Sequence, residues 1–158
     1  MKILYQGSPG AYSHLAAKEL YPDTEIISCK TFDECFNKAS SEPECQIIIP
    51  ESNRITGNIG IEYLIFKHRL NVHAEHFHRI EHNLLALPGS KLKDIKNVYS
   101  HAQALSQCSE FIKKNNISEN VRADTAGSAE LVSKNQNKND AAIASKLSAK
   151  IYKLDIIA

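Results

Sequence analysis

Three times in this chain an extended segment passes through a turn of small or polar residues straight into a helical pattern. The turns are QGSPGAYS from Gln6, SHAQALSQC from Ser100 and DTAGSA from Asp124. A strand followed at once by a helix reaches a parallel neighbour by a crossover, so the pattern predicts an α/β fold with mostly parallel pairing.

The rest of the chain keeps the alternation. Apolar runs predict strands over 2–6, 24–29, 46–50, 71–79, 83–87, 96–100, 121–123, 141–144 and 154–158. Helical spacing predicts helices over 12–21, 32–39, 58–67, 103–114, 128–135 and 146–152. Thr31 stands at an N-cap position, and Pro50 and Pro88-Gly89 end strands. KNQNKND at 134–140 reads as a solvated loop, and no internal repeat is visible. With 158 residues, 42% of them hydrophobic, the chain can bury one core or two small lobes sharing a cleft.

Composition excludes several roles. A formal net charge of +1 gives no electrostatic footprint for nucleic acid. No apolar run approaches the ~20 residues needed to cross a bilayer, so no membrane partner is expected. MKILYQG leads directly into a strand without an apolar leader, so no signal peptide is expected. Cys29, Cys35, Cys45 and Cys108 lack CxxC spacing, which favours reduced thiols and a cytoplasmic location.

The three turns suit an anion. Backbone N–H groups at a helix N-terminus face negative charge, and the glycines Gly7 and Gly10 permit close approach. The same turn also reads as a tight connection with an N-cap at Ser13. Ser100 and His101 could donate to an anion, with Gln107 one helical turn past Gln103; a Ser100 N-cap beside a surface histidine is the plainer reading. Asp124 or Thr125 reads equally as an ordinary N-cap. Three such helix ends meeting at one cleft would hold a multiply charged anion.

His73, His76, His78 and His82 cluster, and His76 and His78 share a face of the predicted strand 71–79. Alternation in a half-exposed strand accounts for them more simply than a metal. Cys108, seven residues from His101, reads as a structural thiol.

Taken in order, these segments resemble the prephenate dehydratase family. QGSPGAYS resembles its QGxxGxYS opening, TFDECFNKAS its TFxDxFxAV helix and IEHNLLALPG its IxHxLLALPG strand. YSHAQALSQC resembles YSHPQALxQC, ADTAGSAELV resembles DTAxAAxxV, and AAIASKLSAKIYKLDIIA resembles AAIAxxxAAxxYGLxIL. The resemblance implies a two-lobed α/β fold similar to type 2 periplasmic binding proteins, with the ligand cleft between the lobes. It implies a first lobe over 1–76, incomplete at its returning end, and a second lobe with the start of the crossover over 77–158. The implied reaction converts prephenate to phenylpyruvate, with loss of carbon dioxide and water, in phenylalanine biosynthesis. No metal or organic cofactor is implied, and pairing into a homodimer is.

Carried over by position, Asn53, Ser100, His101, Gln107 and Asp124 are the implied catalytic residues. Gly7, Gly10, Tyr12, Ser13, Arg54, Thr125 and Ala126 are the implied substrate-binding residues. Two departures stand out. The PIENSxxG pattern is here Pro50-Glu51-Ser52-Asn53-Arg54-Ile55-Thr56-Gly57. Ser52 holds the glutamate position, Arg54 holds the serine position, and Glu51 is one residue early. The family also continues past the last strand with a Thr-Arg-Phe motif and, in many members, an ACT domain; neither is present in this sequence. The expectation is therefore an active dehydratase or a fragment of one. The alternative is a catalytically dead remnant that binds a small aromatic or carboxylate ligand.

Overall fold

The computed structural model describes residues 1–55 and 57–158, which form two compact units. One comprises Met1–Gly7 and Tyr12–His78; the other comprises Ser8–Ala11 and Arg79–Ala158.

The first unit is built on β1 (Lys2–Gln6), whose middle residues Ile3, Leu4 and Tyr5 are buried because strands lie on both sides. β2 (Glu25–Cys29) and β3 (Cys45–Ile48) flank it in the order β2-β1-β3, all parallel. Successive side chains of β1 serve opposite faces. Leu4 packs with Cys29, Cys35 and Cys45 beneath α2 (Phe32–Ser41). Tyr5 stacks on His14 of α1 (Tyr12–Leu20), ring centroids 4.9 Å apart. Thr31 caps α2 as predicted, its hydroxyl accepting from Glu34 N at 3.1 Å. A short antiparallel ribbon, β4 (Ser52–Asn53) with β5 (Gly57–Asn58), then leads to α3 (Glu62–Lys67).

The second unit holds a five-stranded mixed sheet. Its strands are β6 (Asn83–Ala86), β7 (Asn97–His101), β8 (Ser118–Arg122), β9 (Asp140–Ala144) and β10 (Asp155–Ile156), in the order β10-β6-β9-β7-β8. β8, β7 and β9 are parallel, while β6 runs against β9. Every residue of β9 is buried, and alternation divides its side chains between two cores. Ala141 and Ile143 pack under α4 (Ala102–Gln107) and α5 (Ser109–Lys114). Ala142 and Ala144 pack under α6 (Thr125–Asn135) and α7 (Lys146–Tyr152).

Several elements differ from their sequence reading. Residues 71–79 form no strand: the VHAEHFH alternation is strand-like, but the segment is almost wholly exposed and is absent from every described sheet. The helix predicted from residue 58 starts only at Glu62, since Gly57 and Gly60 hold φ of 78° and 80°, outside the helical region. The helix predicted over 103–114 is broken at Cys108, which takes φ −103° and ψ 10°. β8 starts three residues earlier than its apolar core, because pairing along the whole of β7 sets its length. No described helix is long and apolar enough to cross a membrane.

Leu85 lies wholly within the α6/α7 core. Leu85→Ala is expected to lower unfolding free energy by about 2–5 kcal/mol in a urea titration. A loss below about 1 kcal/mol would mean that the core closes over the gap.

Candidate functional site

In the second unit, the helices following β7 and the helix following β9 cover opposite faces of the sheet. Adjacent parallel strands whose connections diverge in this way leave a crevice at their carboxyl ends, where open α/β sheets bind ligands. His101 ends β7, Asp124 follows β8 and Ser145 follows β9.

The loop Ser8–Ala11 belongs to this same edge. The Gly10 carbonyl accepts from Ser145 Oγ at 2.6 Å and from Ser148 Oγ at 3.0 Å. Tyr152 donates its hydroxyl to the Pro9 carbonyl at 2.8 Å, and Ser8 Oγ donates to Asp124 Oδ2 at 3.4 Å. Ser145 also caps α7, accepting from Ser148 N at 3.1 Å. Both serines are buried, so satisfying their hydroxyls in this network matters for stability. Gly10 holds φ +98°, and a Cβ there would lie 2.9 Å from Ser148 Cα. Sequence reasoning missed Ser145, Ser148 and Tyr152. The available signal was a fourth strand-to-helix turn, ASKLS, of the same form as the other three.

Asp124 is the N-cap of α6. Its Oδ1 accepts from Gly127 N at 2.6 Å, and its carbonyl accepts from Ser128 Oγ at 2.7 Å. The third turn therefore carries its own negative charge at the helix N-terminus. Thr125 and Ala126 form the first turn, Ala126 fully buried.

His101, not Ser100, caps α4. Its Nδ1 accepts from Gln103 N at 3.3 Å, which in the neutral ring leaves the proton on Nε2 as a donor. Ser100 is fully buried and gives its hydroxyl proton to the Ile143 carbonyl at 2.7 Å, so it ties β7 to β9. Gln107 is exposed, and its Oε1 lies 2.6 Å from His82 Nε2. Burial pushes the Cys108 thiol up, which keeps it protonated and unsuited to nucleophilic attack.

The remaining sequence-derived residues lie in the first unit. Gly7, φ 120°, follows β1 and donates its N–H to the Cys29 carbonyl at 3.0 Å. Tyr12 and Ser13 open α1. Asn53 Oδ1 accepts from Ile55 N at 2.9 Å, folding the turn that carries the exposed Arg54. Among the described residues, two clusters of metal-ligating side chains, Glu19/His76/His78 and Glu42/Glu44/Cys45, use none of these positions.

Gly10→Ala is expected to cost about 1–3 kcal/mol from the left-handed backbone alone. A matched denaturation series with Ala11→Gly as control measures it. An unchanged midpoint would show that the loop is not held against Ser148.

The sequence model of prephenate dehydratase matches residues 3–158. Arogenate dehydratase 2 of Petunia hybrida is 37% identical over 159 residues, covering 100% of this chain and 40% of that protein. The structure of the quorum-quenching acylase GqqA superposes with a TM-score of 0.89 at 33% identity, covering 100% of this chain and 58% of that one. Prephenate dehydratase from Arthrobacter aurescens, solved with L-Phe, also gives 0.89, at 22% identity, covering 100% and 55%; this likeness shows the shared fold. The chain thus spans two fifths of the plant relative and somewhat over half of either structure. With nearly every residue inside the family match, the chain belongs to the prephenate dehydratase family.

Proposed function

We propose that the protein containing this chain converts prephenate to phenylpyruvate, and that His101 is a donor to the substrate. The observation that carries the assignment of His101 is its place and state. It ends the central parallel strand, and the bond from Gln103 N to Nδ1 leaves Nε2–H as a fixed neutral donor.

In the reaction the bond between the ring and its carboxylate breaks and carbon dioxide leaves. Its electron pair enters the ring, which becomes aromatic as the ring C–O bond breaks, and the hydroxyl departs with a proton as water. Aromatisation drives the step, so the protein's task is to hold the carboxylates and assist the leaving group. His101 suits a carboxylate. Asp124 and Ser8 fix the loop that carries Gly10. Gln107 with His82 is a second polar pair on the same reading. In the first unit Gly7, Tyr12, Ser13, Asn53 and Arg54 are the proposed binding positions, Arg54 as a cation for a carboxylate. A reducing, cytoplasmic setting is part of this reading, supported by four free thiols. Pairing into a homodimer is another part, supported by the mostly exposed edge strand β8.

A second reading is binding without turnover. Its support is Ser52 at the family's glutamate position, with Glu51 exposed and one residue early.

The test is a phenylpyruvate assay at neutral pH on the protein that contains this chain, with prephenate and arogenate as substrates. Removing one preorganised donor by His101→Ala is expected to lower kcat by about 10²–10³-fold. His101→Ser, which retains an N-cap acceptor, should lose similar activity with little loss of Tm. Activity within twofold of the parent in both variants would sink the assignment of His101. Calorimetric binding of prephenate without product in the parent would favour the second reading.

A further inference from the structure

We propose that Glu19, His76 and His78 form a binding site for one divalent transition-metal ion of the zinc class, with solvent as the fourth ligand. The site lies wholly in the first unit and joins α1 to the strandless segment that precedes residue 79.

The geometry is close to what such an ion requires. Glu19 Oε2 lies 2.9 Å from His78 Nδ1 and 3.4 Å from His76 Nε2. Metal–ligand bonds of 2.0–2.1 Å in a tetrahedron place ligand atoms about 3.3 Å apart. The two separations bracket that edge, and all three ligand atoms lie within 4.8 Å of one another. The His76 ring is partly exposed.

The ligand chemistry agrees. Two imidazoles and a carboxylate suit zinc, cobalt or nickel better than calcium or magnesium. The His78 side chain is only 13% exposed and lies among aromatic neighbours, its centroid 6.1 Å from His76 and 6.3 Å from Tyr12. Its other nitrogen is buried without a partner among the described residues, which limits the expected affinity to the micromolar range.

The competing cluster is weaker. In Glu42/Glu44/Cys45 the Cys45 thiol donates to Glu42, and burial and neighbouring carboxylates push it up, away from the thiolate a metal takes. The role assigned to the Glu19 site is mechanical. Residues 71–78 belong to no sheet, and Glu19 is 57 residues from His76 in the chain. An ion held there clips this strandless segment to α1.

The test is calorimetric titration of metal-free protein with Zn²⁺, with Co²⁺ absorbance as a coordination readout. The expected result is one equivalent bound with micromolar Kd, an intense visible Co²⁺ band of four-coordinate type, and a Tm that rises with the logarithm of free metal. His76→Gln, Glu19→Gln and His78→Ala should each weaken binding by more than about 10-fold. Cys45→Ser and His73→Ala should leave it unchanged. His76→Gln is the least intrusive variant, since that ring is already partly exposed, and its metal-free Tm should match the parent's. Absence of saturable binding below millimolar metal overturns the proposal. So does binding that survives His76→Gln together with Glu19→Gln, or that Cys45→Ser abolishes.

Discussion

The carbonyl of Gly10, held by two buried hydroxyls, is the contact on which the carboxyl edge of the second unit depends. The chain leaves the first unit after Gly7, contributes four residues to the second, and returns at Tyr12. Ser145 and Ser148 bind that carbonyl from the turn after β9. Ser145 also caps α7, so the loop, the helix start and the strand end form one hydrogen-bonded network. Nearly buried hydroxyls with these partners carry a desolvation cost of about 1–3 kcal/mol each if the partner is lost. A residue with a Cβ at position 10 would meet Ser148, which explains glycine there better than loop flexibility does.

Each unit repeats one topology around its own core. Three parallel strands run in the order second-first-third: β2-β1-β3 in one and β8-β7-β9 in the other. In both, the turn after the central strand lies at the carboxyl edge of the parallel strands. One such turn is made of glycine backbone at Gly7; the other carries His101. The sequence shows no repeat because the two cores are filled differently, by clustered cysteines beneath α2 and by alanine and leucine around β9.

Much of this was legible from residues alone, and the failures have physical causes. The turns at Gly7, Ser100 and Asp124 announced strand-to-helix connections, and all three exist. Alternation at 71–79 suggested a strand, yet a strand needs a neighbour to pair with, and side-chain pattern does not report one. Conversely, SENVR has little apolar signal but pairs along all of β7. The break at Cys108 lies inside an unbroken helical pattern, so nothing local marked it. Ser145 and Ser148 went unread because their partner, a backbone carbonyl, is more than 130 residues away and has no sequence signature.

The same distinction sharpens the site. Sequence offered three helix starts as equivalent anion sites, but a helix N-terminus attracts an external anion only while its donors and dipole are unsatisfied. Asp124 supplies a carboxylate to α6, so that helix start is already served from within. Ser100 spends its proton on Ile143, and its hydroxyl is removed from solvent. His101 differs from both. Its cap bond uses Nδ1 as an acceptor, and this leaves a donor proton on Nε2 instead of consuming one. Of these residues of the second unit, His101 therefore combines a donor proton with the place where adjacent connections diverge. That combination, and not the number of helix ends, is the physical case for the carboxylate binding proposed in the second unit.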